Sequence, residues 1–336
     1  MPEITPVKVD VGDLLGLGKI SNSPALERLV GGIMAGIGRV YDDVVGPSSI
    51  RRRSKAEVDA AVYAVQKLAG TESISLDVSG RAALRLSGTH VRQQLNRESV
   101  AIEAVKIAQD EFALHGVDTF ASGQIDDQWM SQFWSAAENV SDELMQTMWA
   151  RILARKSAVP KELSVRVLHR MNALTAAEID QVVVLAPFAT KLFSPDDAFP
   201  DTYGIFDHLG QHQGTLTIRE ELADLSKYLE LHHKRLNVRD LDSAGVMQSS
   251  TGWASEFFVP YSGKIYIQIG NEKYAISNLP APNEHYQHNY SIASGRGLTR
   301  EGWEIASVAN MRPDKGYVEM IRVALESAGV SLVKQT

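Results

Sequence analysis

From Asp126 to Ala154 the chain repeats large apolar side chains at helical spacing, and this density of aromatic residues leaves few ways to fold. Trp129, Met130, Phe133, Trp134 and Ala137 fall on one helical face, and Val140, Leu144, Met145, Met148, Trp149, Ile152 and Leu153 fall on another. Consecutive helices that each carry an apolar stripe must bury it against each other or against a further helix. A helix-on-helix core is therefore expected here. The chain has 336 residues, 44% hydrophobic and 22% charged, enough for two domains with proper cores.

Charge and composition exclude several classes of function. A formal net charge of -7 argues against a generic nucleic-acid binder, which carries a basic surplus to neutralise phosphates. The absence of cysteine excludes disulfides, thiolate metal sites and cysteine nucleophiles, and it fits a reducing compartment. Met1 to Asp13 lacks the basic start and long apolar run of a secretory signal. The most apolar stretch, Leu29 to Val45, is interrupted by Arg39, Asp42 and Asp43 and falls short of the roughly 20 apolar residues that span a bilayer. A cytoplasmic protein is expected, with a peripheral position at the inner face of the membrane as a variant.

Ser23 and Pro24 stand as N-cap and first helical residue before the series Leu26, Leu29, Val30, Ile33, Ile37, Val40, Tyr41 and Val44. Gly31, Gly32, Gly36 and Gly38 interrupt it, each costing a helix about 1 kcal/mol relative to alanine. After Gly46-Pro47-Ser48-Ser49, helices are expected over Arg51 to Ala69 and about Arg81 to Leu114. Between Arg51 and Lys106 ten Lys/Arg face six Asp/Glu, so this stretch is locally +4. Thr175 with Glu178 forms a capping box for a helix closed before Pro187.

The texture changes near Phe188, where Pro195, Pro200, Asp196, Asp197 and Asp201 mark a loop-rich connection. Two domains are expected, 1–190 helical and 191–336 α+β. In the second, Thr217 with Glu220 opens a helix to about Leu231, a short helix runs from Asn237 to Ser243, and Ala244-Gly245 stops it. Ile265, Ile267 and Ile269 alternate with Tyr266 and Gln268, Gly270-Asn271 supplies a turn, and Tyr274 and Ile276 return, which reads as a hairpin. Asn278 to Gly297 reads as a polar loop. Thr299 then caps a helix to about Ala309, and a last helix spans Tyr317 to Ala328. The fold class is mainly α: an N-terminal helical domain with a C-terminal α+β unit like a winged helix.

The Trp-rich block carries a resemblance. Asp126-Asp127-Gln128-Trp129, Phe133, Ser141-Asp142-Glu143, Met145-Gln146 and Trp149-Ala150-Arg151-Ile152-Leu153-Ala154 resemble the bacterial family catalogued as domain of unknown function 2806. The likeness extends from the Gly-rich helix and Arg51-Arg52-Arg53, through Pro160 and Ser164, to Leu298-Thr299-x-x-Gly302. One departure is Arg155-Lys156, where the family pattern has a small residue and an acid. The layout of a Gly-containing helix followed by basic helices resembles, more remotely, the bacterial abortive-infection alpha proteins, which implies a setting in phage defence. The resemblance supplies a family-motif core, Trp129, Phe133, Gln146 and Trp149, and no catalytic residue.

Several segments offer chemistry. Gly32-x-x-x-Gly36, with Ile33 and Ile37 beside it, is the small-residue spacing that lets helices approach closely, in a soluble pair or at a membrane. Arg51, Arg52, Arg53 and Lys55 could contact an anionic membrane surface or nucleic-acid phosphates, or form a solvated helix start. In the helix, helix, hairpin order, five Lys/Arg against six acids from Thr215 to Gly245 make phosphate affinity poor. His208 and His212 are four apart, and His285 and His288 sit near Glu284, but no zinc signature is present. Gly12 to Lys19 has the wrong spacing for a phosphate loop, with Ile20 where Ser or Thr is needed, and Gly-x-Ser-x-Gly is missing. The expectation is a non-catalytic protein without metal or cofactor, acting as a homo-oligomer through a protein partner or an anionic membrane surface. A winged-helix nucleic-acid-binding regulator is the alternative, and an enzyme of unrecognised type the third.

Overall fold

The computed structural model describes Leu29, Ile218 and residues 78–115, 124–195, 200–209, 224–233, 238–248, 255–260, 264–279, 289–309 and 312–335. The chain divides into two compact units, Met1–Val165 and Arg166–Thr336. Among the described residues it is mainly helical, with one antiparallel sheet.

The first unit contains α1 (Val78–His115), α2 (Asp127–Ala137) and α3 (Glu143–Ala158). Both shorter helices start on an aspartate. Asp126 accepts from Trp129 N–H at 2.9 Å and Asp142 from Met145 N–H at 3.0 Å, each satisfying an amide that the first helical turn leaves without a partner. α1 packs along α3 through Val100, Ala101, Ala104, Val105 and Ala108, all buried; the alanines let the two backbones come close. Leu29, from the Gly-containing N-terminal series, is helical and fully buried.

The second unit contains α4 (Val165–Ala173) from Arg166 onward, α5 (Ala176–Leu185) and a 3-10 turn (Ala186–Phe188), then β1 (Thr190–Phe193) and β2 (Thr202–Leu209). The Thr175/Glu178 capping box of α5 forms in both directions. α6 (Ser226–His233), α7 (Val238–Ser243), β3 (Ser255–Pro260), β4 (Ile265–Ile269), β5 (Glu272–Ser277) and β6 (Asn289–Gly297) follow. α8 (Arg300–Ala309), α9 (Lys315–Ser327) and β7 (Ser331–Lys334) complete it. The strand order is β3-β6-β2-β1-β4-β5-β7, antiparallel throughout.

The expected hairpin is present as β4 and β5, with Ile265 opposite Ile276 and Ile267 opposite Tyr274. It is not free-standing, because β4 also pairs with β1 and β5 with β7. Ile265, Ile267 and Ile269 are buried with Leu192 on one sheet face. On strand β2 a register shift between Phe206 and His208 frees the Phe206 N–H, which donates to the Tyr317 hydroxyl of α9 at 2.8 Å. Tyr317 also meets Phe188 edge to face.

Two segments differ from the sequence reading. Asn278 to Gly297 is not all loop, because Asn289–Gly297 is a strand paired with β3 on one side and β2 on the other. Its Ser291, Ser294, Gly295 and Gly297 give no apolar alternation, so its strand state comes from its neighbours' ladders. The connection after Phe188 likewise contains β1 and β2. The start of the helix read from Thr217 lies outside the described residues; among those described, a helix opens at Ser226, after a bridge between Asp224 and His208, with the Asp224 carboxylate taking the Ser226 N–H at 2.9 Å.

Candidate functional site

Trp129, Phe133 and Trp149, which carry the family resemblance, form a buried clasp in the first unit. Trp129 stacks on Phe133 at 5.4 Å between ring centres, and Phe133 meets Trp149 edge to face at 5.4 Å. All three rings are buried. Trp129 Nε1–H donates to the Leu163 carbonyl at 2.8 Å. The Lys156 ammonium, also buried, donates to the Glu162 and Leu163 carbonyls at 2.6 and 3.2 Å and lies 5.1 Å from the Trp129 ring centre. These contacts hold the turn after α3, where Leu163 takes a left-handed φ of 56°, a conformation that costs a non-glycine residue free energy unless its surroundings fix it.

Gln146 completes the clasp from α3. Its amide donates to Asn96 Oδ1 at 3.2 Å and to the Val140 carbonyl at 2.9 Å. Asn96 in turn donates to the Glu138 carbonyl at 2.8 Å, and Arg97 pairs with the Glu138 carboxylate. One glutamine thus ties α1 to the α2–α3 connection. Its amide is spent on internal partners.

The first half of α1 has a different character. From Val78 to Arg97 it carries Arg81, Arg85, Arg92, Arg97 and His90 and no acid, whereas Glu98, Glu103, Asp110 and Glu111 follow. Gly88, Thr89 and His90 are all exposed. The exposed Arg92 is followed by Leu95, 58% exposed.

In the second unit, the sheet places Tyr203 beside Lys191, Lys191 beside Gln268, Gln268 beside Lys273, and Phe193 beside Tyr266, on the face opposite Leu192. The Lys191 ammonium pairs with Asp201 at 2.7 Å and lies 4.8, 5.8 and 5.5 Å from the rings of Phe193, Tyr203 and Trp303. Lys273 lies 5.0 Å from Phe193 and 5.6 Å from Tyr266. Burial and then the Asp201 carboxylate push the Tyr203 phenol up, so it stays a neutral donor to that carboxylate. Each ring already has a cation over it, and Lys191 has its counterion.

The titratable residues at the β2 bulge do not assemble a hydrolytic set. Ser226 donates its hydroxyl to Asp224, not to a histidine, and this bond first of all holds the Asp224 carboxyl low. His208 Nε2 lies 3.4 Å from the same carboxylate. A nucleophile must face its base, with the third group behind the base; here the carboxylate stands between serine and histidine. Asp207 pairs loosely with Arg296 at 3.5 Å, and burial pushes its carboxyl up against that guanidinium's opposing pull.

Residues 80–199 match the family described as Protein of unknown function (DUF2806). No curated protein and no solved structure matches the chain. The match runs through α2, α3, α4, α5 and β1, and takes in Trp129, Phe133, Gln146 and Trp149. The Gly-rich segment, Arg51-Arg52-Arg53 and Leu298 to Gly302 lie outside the matched residues, and the match lends nothing to the likeness to abortive-infection alpha proteins.

Gly32, Ile33, Gly36, Ile37, Arg51, Arg52, Arg53 and Lys55 lie outside the described residues, as do His212, His285 and His288. His208, read as one of an i,i+4 pair, stands on strand β2, where period two replaces helical spacing. The lysine and aromatic sheet face went unread because β1 and β2 looked like loop. The acid-free half of α1 was legible only as part of the wider basic stretch from Arg51 to Lys106.

Proposed function

We propose that this chain acts by binding and not by catalysis, with the first half of α1 as its contact element. The observation that carries this reading is the exposure of Gly88, Thr89, His90 and Arg92 along an acid-free run of a regular helix. Support also comes from the polar residues elsewhere: Gln146, Asn96, Lys156 and Asp224 have internal partners that fix the backbone. Self-association through Gly32, Ile33, Gly36 and Ile37 is part of the proposal, as is a cytoplasmic setting in phage defence. The test is a plaque assay in cells carrying the chain or its Thr89→Glu/His90→Glu variant. Loss of protection with an unchanged circular dichroism spectrum supports the reading; full protection by the variant overturns it.

The winged-helix regulator has α6, α7 and the β4–β5 hairpin in its favour. Against it, both hairpin strands are bonded on their outer sides to β1 and β7, which leaves no free wing to enter a groove.

A further inference from the structure

Resting on the binding role just argued for α1, we propose that its first half binds the phosphate backbone of duplex nucleic acid. At 100° per residue, Arg81, Arg85 and Arg92 occupy register positions within about 40° of one another, in line with Gly88 and with the exposed Leu95 and Ser99. Rises of 1.5 Å place the three positions over about 16 Å of axis. Arg92 is exposed, and among the described residues a side chain at Gly88 would meet nothing within 4 Å, so a large partner can reach the helix backbone at the middle of the stripe. Glycine at that position costs a helix about 1 kcal/mol, and nothing among the described residues requires it.

The charges are also placed against helix stability. A helix favours acids near its N-terminus and cations near its C-terminus, yet α1 has no acid in its first turn and carries its arginines early and its acids late. This order costs the isolated helix and adds to the positive potential where the arginines stand, which serves an anionic partner. A membrane surface fits less well. An interfacial helix needs a broad apolar face with aromatic residues, and this stripe offers Leu95 between Gly88 and Ser99, while the apolar side of α1 from Val100 onward is packed on α3. The chain's net charge of -7 makes the contact local and strongly salt-dependent.

Three neutralised phosphates give log K against log salt a slope of about -2.7, an affinity loss of about 40-fold between 50 and 200 mM salt. The experiment is fluorescence anisotropy of the full chain with a short random-sequence DNA duplex across that range, and cosedimentation with phosphatidylglycerol vesicles in parallel. The parent is expected to bind duplex with at least that slope, Arg81→Gln/Arg85→Gln/Arg92→Gln to make the slope shallower by about 2.7, and Lys264→Gln/Lys273→Gln to leave it unchanged. Glutamine keeps helix propensity near that of arginine, so the fold survives the change. Vesicle binding without duplex binding, or a triple variant with the parent's slope, overturns the inference. If the parent binds no duplex but the triple variant loses phage protection, α1 remains the contact element and only its partner was misassigned. Duplex binding lost in the triple variant with protection intact leaves this inference standing and sinks the role proposed above.

Discussion

Replacing the two buried tryptophans of the clasp by phenylalanine separates hydrogen bonding from burial within one core. Trp149 is fully buried and its Nε1–H finds no acceptor among the described residues, whereas Trp129 Nε1–H donates to the Leu163 carbonyl at 2.8 Å. A buried tryptophan removes about 150–250 Å² from water, which at about 25 cal/mol/Å² amounts to about 4–6 kcal/mol. Trp149→Ala should therefore cost about 3–5 kcal/mol. Phenylalanine restores most of that area at both positions, and the residual cavity is similar, so the difference isolates the indole N–H. Trp149→Phe removes a donor without an acceptor and should cost under about 1 kcal/mol net, since an unsatisfied buried donor itself costs about 1–3 kcal/mol. Trp129→Phe removes a made bond and weakens the contact with the Lys156 ammonium, and should cost about 1–2 kcal/mol more than Trp149→Phe. Urea denaturation followed by circular dichroism at the helical band reads both without relying on tryptophan emission. A larger loss for Trp149→Phe than for Trp129→Phe would refute the reasoning.

Gly302→Ala should destabilise by about 1–3 kcal/mol, because a Cβ there would run into the Val246 carbonyl at the point where Thr299 caps α8; thermal denaturation tests it, and an unchanged midpoint would show that α8 can shift. For Asp207, burial raises the folded carboxyl above its usual value, so the folded form is favoured below the unfolded value and this advantage is lost as pH rises through the folded one. Asp207→Asn should flatten the loss of stability as pH rises above the ordinary aspartate value; a variant whose profile superimposes on the parent's would contradict this. Glu272 has the opposite sign: burial pushes it up, but Lys334 and Tyr274 outweigh that and hold it low, so its contribution is present above the ordinary glutamate value and lost as pH falls through the folded one. Lys334→Ala should shrink that acid-side loss in a pH series of melting midpoints, and an undiminished loss would assign it to other carboxylates.

The helices were legible from sequence wherever local chemistry and apolar period agreed. Asp126 and Asp142 cap α2 and α3, Thr175 with Glu178 boxes α5, and the Trp129 and Trp149 stripes could be satisfied only by burial, because 3.6-residue spacing is a property of the chain itself. The β4–β5 hairpin was legible for the same reason, with Ile265, Ile267 and Ile269 alternating ahead of a two-residue turn. Tertiary structure alone decided the remaining strands. Asn289–Gly297 has small residues on both faces, and Thr190–Phe193 is too short to show a period, so each is a strand only because partners from elsewhere in the chain supply its hydrogen bonds. Hence the alignment of Lys191 with Phe193, Tyr203 and Tyr266, and the pairing that turns the hairpin from a wing into sheet interior, arise from cross-strand register that no local window contains. Gln146 is the same case among the helices: its residue type was visible, but its bonds to Asn96 and to the Val140 carbonyl exist only once α1 is laid along α3.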